Sequence, residues 1–146
     1  MKATGLTFAP EAGTQRMRDV VNKNISEENI QETAHRVFSR GWAKMKFYFM
    51  IGLPTETDED VAGIIETAAR ARQIGTKYHA RGKVQVTASA SSHVPKPHTP
   101  FQWAAMDGVD EIQRKQHLLR ELAKRMNINV KYHNWRESFV EDPLAR

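Results

Sequence analysis

The chain has no cysteine among its 146 residues. This absence excludes disulfide bonds, a catalytic thiol and any iron–sulfur cluster held by the chain's own thiolates. The sequence also lacks an apolar run long enough to cross a bilayer, and residues 1–10 lack the charged start, apolar core and cleavage site of a signal peptide. We therefore expect a cytoplasmic protein with no membrane partner.

Several sequence signatures of catalysis are missing as well. No Gly-x-Ser-x-Gly elbow supports a serine nucleophile, and no lysine-bearing phosphate loop is present. Histidine is present, but no pair has the spacing of a zinc protease. The six histidines are His35, His79, His93, His98, His117 and His133. Their scattered spacing is typical of surface residues, and we expect no metal site.

The charge balance is modestly basic, with 22 Lys and Arg against 17 Asp and Glu, a net charge of +5. This excess is compatible with an RNA, phosphate or acidic-substrate partner, and equally with a solvated basic surface. Apolar residues make up 40% of the chain, enough for one modest globular core.

The stretch KFYFMIGLPTETDED, residues 46–60, organises the chain. Its apolar run Phe47–Ile51 is too short for a helix and predicts a strand buried on both faces. Gly52 and Pro54 end the strand. Such a loop would follow the carboxyl end of a parallel strand, where α/β folds bind ligands.

A helix is predicted directly after this loop. Thr57 and Asp60 form a variant of the capping box, and apolar residues recur at helical spacing as far as Ile74. Gly75 is expected to end the helix.

The remaining pattern alternates strands with helices, which predicts an α/β fold with parallel pairing. The expected elements are a strand Ala3–Ala9, whose following turn holds Glu11, a helix Thr14–Lys23, a helix from Ser26 to Gly41, a strand Val84–Ser91, a proline-stiffened loop 93–103, a helix Val109–Met126 and a short strand Ile128–Tyr132.

The strand Val84–Ser91 alternates strictly between apolar and polar residues. Its polar members include Thr87, Ser89 and Ser91. Two interpretations stay open: a sheet with one face in water, or a barrel whose lumen is lined by the polar face.

Three strings suggest a family. MIGLPTETDED (50–60) resembles the fifth-strand motif of radical S-adenosylmethionine (SAM) enzymes, FAPEAGTQRMRDVVNKN (8–24) resembles the end of their fourth strand with its helix, and SSHVPKPHTPFQW (91–103) resembles the exit loop of their sixth strand. The nearest match is an uncharacterised group in which a cobalamin-binding domain precedes the radical domain. The resemblance implies that residues 1–103 form strands 4–6, half of a partial (β/α)6 TIM-like barrel, and that residues 104–146 are a post-barrel helix and tail.

The resemblance also implies a set of SAM-binding residues. Glu11 falls near the cofactor's ribose or methionine end, and Lys23 falls where relatives place an arginine that pairs with the cofactor carboxylate. Tyr48 stands where some relatives have an acidic ribose contact. The adenine would lie between the two remaining groups of residues, which are Gly52, Leu53 and Pro54 on one side and Val94 and Pro95 on the other. In the same comparison Thr87, Ser89 and Ser91 line the substrate lumen.

The resemblance departs from the family where the iron–sulfur cluster should be. Radical SAM enzymes hold a [4Fe-4S] cluster with three cysteines, and this chain has none. We expect the cluster, and any cobalamin, to belong to an intact enzyme whose N-terminal barrel half is a missing partner, on the same or a separate chain. We expect the chain to be inactive alone, and half a barrel with an exposed strand edge to self-associate.

A second hypothesis is a small basic α/β module that binds RNA. The last third is rich in basic residues and aromatics, a combination that can neutralise phosphates and stack on bases. These residues are Arg114, Lys115, Arg120, Lys124, Arg125, Lys131 and Arg136, with Trp103, Tyr132 and Trp135. A solvated helix face is the alternative explanation.

Overall fold

The computed structural model describes residues 5–21, 23–53, 55–92 and 109–134, and within these ranges the chain is an α/β fold. The strands are β1 (Gly5–Glu11), β2 (Lys44–Ile51), β3 (Gln85–Ser92) and β4 (Asn129–Asn134). The helices are α1 (Gln15–Val20), α2 (Glu27–Ser39), α3 (Asp58–Gly75) and α4 (Val109–Met126), with a 3-10 turn at Arg81–Lys83.

The four strands form one sheet in the order β1-β2-β3-β4, and every neighbouring pair is parallel. The predicted alternation of strands and helices with parallel pairing is therefore confirmed. The short tail strand, predicted at Ile128–Tyr132, joins this sheet beside β3. The described part of the chain thus has four parallel strands, where the resemblance alone implied three.

Helices α2, α3 and α4 pack on one face of the sheet and share its hydrophobic core. That face is built from alternate strand residues, with Phe47 and Phe49 of β2 and Val86 and Ala88 of β3 at its centre. The other face, called here the polar face, carries Thr7, Lys46, Tyr48, Thr87 and Ser89, which the strand register places side by side.

The prediction that Phe47–Ile51 is buried on both faces is wrong. Burial alternates along β2, and Tyr48 on the polar face is 37% exposed. The apolar run misled the prediction because Tyr48 and Met50 were counted with the core, whereas the helices that contact β2 cover only its other face.

Local signals in the sequence set the helix boundaries. Ser26 caps α2 in a capping box with Asn29, and Gly41 follows that helix at φ +98°. Thr57 and Asp60 form the predicted capping box of α3. In α1, Val20 is 47% exposed while Arg18 is fully buried.

Strand β1 ends two residues later than predicted, because it continues through Pro10 to Glu11. The register shifts between Phe8 and Glu11, so that Glu11 lies opposite Phe49. Pro10 has no amide hydrogen for the ladder, and proline in a sheet is found at such irregularities. The strand alternation is therefore interrupted before Glu11.

Helix α4 has the predicted bounds, and a lysine forms part of its buried face. Ile112, Lys115 and Leu119 are buried, whereas Met126 is 41% exposed. None of the helices in the described ranges is long and apolar enough to cross a membrane.

Candidate ligand-binding site at the carboxyl edge of the sheet

The carboxyl ends of the four parallel strands meet at one edge of the sheet. In parallel α/β folds this edge is where ligands bind, because the loops there are free of the strand ladder. Glu11 ends β1, Gly52 follows β2 directly, and Ser91 is the second-to-last residue of β3. The structure therefore brings these three sequence-predicted residues to the same edge.

Glu11 and Lys23 form an open ion pair at the end of β1. Their Oε2 and Nζ atoms are 3.9 Å apart, and each side chain is about one-third exposed, 35% for Glu11 and 36% for Lys23. Glu11 adopts φ +74°, a left-handed conformation that is uncommon for a residue with a side chain. A carboxylate beside an ammonium group, both accessible, is complementary to the ammonium and carboxylate of an amino acid.

A buried arginine fixes the backbone around this pair. Arg18 donates to the Ala12 carbonyl at 3.0 Å, to the Ile25 carbonyl at 3.0 Å and to the Glu27 carboxylate at 2.5 Å. The Lys23 amide donates to the Arg18 carbonyl at 2.8 Å. The burial of Arg18 was not predicted, because an arginine within an amphipathic pattern is normally exposed to water.

The loop after β2 is held by a second Glu–Lys pair. Gly52, at φ +84°, donates its amide to Glu56 Oε1 at 2.8 Å. The same oxygen accepts from Lys115 Nζ at 2.8 Å, and the side chains of Glu56 and Lys115 are only 3% and 2% exposed. The Glu56 amide also donates to the Leu53 carbonyl at 3.2 Å. Helix α4 thus anchors the loop through a buried ion pair.

A small apolar cluster joins the ends of β1 and β2. It contains the buried residues Ala12, Met17 and Leu53, with Val21 and Met50 packed against them. Ala12 follows Glu11, and Leu53 follows Gly52. The cluster therefore packs the two predicted binding loops against each other.

The turn after β1 is docked directly on helix α3. Gly13 lies so close that an added Cβ would meet the Ile64 amide nitrogen at 2.3 Å and the Gly63 carbonyl carbon at 2.6 Å. The Thr67 hydroxyl donates to the Gly13 carbonyl at 3.2 Å. Glycine is required at position 13 because any side chain would separate the turn from the helix.

Asp60 is the polar centre of this contact. Its carboxylate accepts from the Thr57 amide at 2.8 Å, from the Thr14 hydroxyl at 2.7 Å and from the Arg16 guanidinium. Burial alone would raise the pKa of Asp60, but these hydrogen bonds favour the charged form and hold the pKa at about 2. Asp60 therefore caps α3 and ties the β1 turn to it.

The polar face of the sheet contains a buried hydroxyl without a hydrogen bond. Ser89 is fully buried, and in the part of the chain that the structure describes its Oγ has no partner. Its register partner Tyr48 lies under the Lys46 ammonium, which is 5.0 Å from the ring centroid. Thr87 and Ser91 lie on the same face, so the three polar residues assigned to a lumen do share one side.

The fit of the implied cofactors differs from group to group. The accessible Glu11–Lys23 pair suits the amino acid end of a ligand, whereas Leu53 is only 4% exposed and the Gly52 amide donates to Glu56. The [4Fe-4S] cluster does not fit, because the chain has no thiolate. Within the described ranges no group of three His, Asp or Glu side chains could hold a metal ion. Pro54, Val94 and Pro95, the other predicted SAM residues, lie outside the described residues.

Comparison with known proteins finds a relative that is described as uncharacterized. An uncharacterized protein of Methanocaldococcus jannaschii is 33% identical over all 146 residues of the chain. The chain spans 31% of that protein's length. No family model matches the chain. No solved structure matches it either.

Three further residues at this edge were not predicted as part of the site, namely Arg16, Glu56 and Lys115. Glu56 stands inside the motif, where its spacing from Gly52 could have indicated a side chain that returns to the loop amide. Lys115 is 59 positions away from it, and no local pattern connects the two.

Proposed function

We propose that the chain forms part of the SAM-binding pocket of a radical SAM enzyme whose substrate is unknown. The observation that carries the proposal is the joint placement of the Glu11–Lys23 pair and the Gly52 loop at one carboxyl edge. A parallel sheet in sequential order, with α2, α3 and α4 on its apolar face, supports a barrel-like arrangement in which the polar face lines the lumen.

In this proposal the residues of the chain bind and orient the cofactor. The Glu11 carboxylate accepts hydrogen bonds from the ammonium of the methionine moiety, and the Lys23 ammonium donates to its carboxylate. Lysine makes a single-point contact where relatives in the resemblance use the fork of an arginine. Gly52 allows the backbone to approach the adenine closely, and Leu53, which is 4% exposed, supports the loop from the small apolar cluster.

Radical generation requires groups that this chain does not hold. A [4Fe-4S] cluster would supply the reducing electron for such chemistry, and its three thiolates would belong to another segment or another chain. We propose a missing N-terminal barrel half as that partner, and cobalamin, if used, would also bind outside the chain.

A titration of the 146-residue chain with SAM, followed by NMR, tests the proposal. We expect shifts of the Glu11, Lys23 and Gly52 amide resonances, with weak affinity since half of the pocket is absent. Adenosine and methionine, titrated separately, show which end of the ligand each loop contacts. Absence of shifts at millimolar SAM in a folded sample would refute the proposal.

Two glycines provide a matched pair of variants for the same titration. Gly52 and Gly41 have similar left-handed conformations, at φ +84° and +98°, so alanine strains both. Only Gly52 lies at the proposed site. Gly52→Ala should therefore weaken SAM binding, whereas Gly41→Ala should leave it unchanged. Equal effects of the two variants would mean that binding responds to stability alone.

RNA binding is the second candidate function, and one feature favours it. A cavity of about 210 Å³ between α4 and β4 is lined by Arg120, Lys124 and Tyr132 among others, and the Arg120 guanidinium lies 5.7 Å from the Tyr132 ring. Against it, Arg114 is paired with Asp58 and Lys115 is buried. Affinity for a single-stranded RNA should fall steeply with salt if this function is real, and a flat response would exclude it.

A further inference from the structure

The loop after β2 contains a second residue with positive φ besides Gly52, and this residue is not a glycine. Thr55 adopts φ +63°, the left-handed region, which a β-branched residue rarely occupies. Such a conformation is disfavoured by about tenfold or more and persists only where surrounding contacts hold it. Thr55 lies between Leu53 and Glu56, so its conformation determines how the Glu56 side chain returns to the Gly52 amide.

One side chain from another element holds Thr55. Arg16 of α1 donates from Nη2 to the Thr55 carbonyl at 2.7 Å and from Nη1 to the Thr55 hydroxyl at 3.4 Å. The contact with the carbonyl is the shorter of the two, and it fixes the orientation of the peptide group that follows Thr55. A guanidinium can make both contacts at once because its donors form a rigid fork.

Arg16 is itself held in place by Asp60, and the two form an ion pair. Asp60 is 5% exposed, and it also accepts from Thr14, the N-cap of α1. The guanidinium therefore joins the turn after β1, the loop after β2 and the start of α3. Glu11 directly precedes the first of these segments, Lys23 follows α1, which carries Arg16, and Gly52 lies on the second segment.

We infer that Arg16 is a positioning residue, which holds Thr55 in its left-handed conformation and thereby fixes the Gly52 loop relative to the Glu11–Lys23 pair. Its effect on the ligand rests on the proposed function. Arg16 is a poor candidate for direct contact, since its donors point to Thr55 and Asp60. The role is instead to keep the two binding loops assembled before a ligand arrives.

A double-mutant cycle with Arg16→Gln and Thr55→Gly tests the inference on the full chain. The readout is amide hydrogen exchange at Gly52, whose N–H donates to Glu56, and at Glu56, whose N–H donates to Leu53. In the Thr55 background Arg16→Gln should accelerate both exchange rates about tenfold. Glycine adopts the same φ without strain, so in the Thr55→Gly background the acceleration should be less than about twofold.

Arg70→Gln is the matched control. Arg70 is also half exposed and pairs with a carboxylate, Glu27, at 3.2 Å, but its contact lies on α2. It should leave exchange at Gly52 unchanged. Should Arg16→Gln fail to fold, Arg16→Lys keeps the charge beside Asp60 and loses the fork to Thr55, and it should still accelerate exchange several-fold. Unchanged exchange in the Arg16 variants, an equal effect in both backgrounds, or full rescue by lysine would each overturn the inference.

SAM affinity of the same four proteins of the cycle separates this inference from the proposed function. If both hold, Arg16→Gln weakens SAM binding about tenfold, and the added Thr55→Gly restores most of it. If the exchange rates change as expected but the parent chain does not bind SAM, the proposed function is refuted, whereas the role of Arg16 in holding Thr55 stands. If the exchange rates change as expected but all four proteins bind SAM equally well, Arg16 does not position the loops for the ligand.

Discussion

Two Glu–Lys pairs lie at the same edge of the sheet, and they differ in almost every physical respect. Glu56 and Lys115 are 2.8 Å apart and buried, and the pair also accepts a backbone amide. Glu11 and Lys23 are 3.9 Å apart and about one-third exposed. The buried pair is committed to holding a loop, whereas the open pair has donors and acceptors available to a ligand. Identical residue types therefore hold a loop in one place and remain accessible to solvent in the other.

Removing one member of the buried pair should have the largest effect. Lys115→Met leaves the Glu56 carboxylate buried without its ammonium, which costs about 3–5 kcal/mol of unfolding free energy. Urea denaturation measures it. The double variant Glu56→Gln, Lys115→Met removes both charges and should recover at least half of the loss. If Lys115→Met lowers the free energy of unfolding by less than about 1 kcal/mol, the pair does not have the proposed structural role.

The carboxylate of Asp60 extends the comparison to pH. Its pKa of about 2 lies below the ordinary 3.8, so the ionised form is stabilised on folding. This contribution, about 2 kcal/mol, is present above pH 4 and lost as pH falls from about 4 to 2. Denaturation at several pH values should show this slope.

Asp60→Asn is the control for that slope. Arg114 also lowers the pKa of Asp58 and Glu111, so the parent chain has further acid-sensitive groups. The difference between the parent chain and Asp60→Asn isolates Asp60. If the two proteins lose stability in parallel between pH 4 and 2, the hydrogen bonds to Asp60 do not have the proposed effect.

The unpartnered hydroxyl on the polar face should give a smaller effect of opposite sign. Ser89→Ala removes a buried oxygen that has no hydrogen bond in the described part of the chain, so the variant should be more stable by about 1 kcal/mol. Thermal unfolding measures it, with Thr87→Val as a control at a less buried position of the same face. Destabilisation by more than about 1 kcal/mol would indicate that the hydroxyl is satisfied in solution.

The sequence predicted those features that are determined locally. Ser26, Thr57 and Gly41 mark helix ends through contacts within a few residues, and the predicted bounds of α4 match the structure. The residues that complete the site were not predictable in this way. Arg16 meets Asp60 across 44 positions of sequence, and Lys115 meets Glu56 across 59. Which charges are paired depends on how the helices pack, and that information is not periodic.

The bulge at Pro10 shows the same limit at a single residue. Proline without an amide hydrogen could have indicated an irregularity, but the left-handed conformation of Glu11 and its pairing with Phe49 depend on the neighbouring strand. The position of Glu11 in the site could therefore be predicted to the correct end of β1, but not its orientation there.

The open pair should give the smallest change in stability and the clearest change in binding. Lys23→Met removes an exposed, 3.9 Å contact, so the free energy of unfolding should change by no more than about 0.5 kcal/mol. SAM binding should nevertheless weaken, because the ligand carboxylate loses its ammonium partner. Lys77→Met, an exposed lysine after the carboxyl end of α3, removes the same charge elsewhere and separates a local contact from the effect of net charge. Equal weakening by the two variants would mean that Lys23 acts only through net charge, and a large loss of stability in Lys23→Met would mean that the open pair is structural after all.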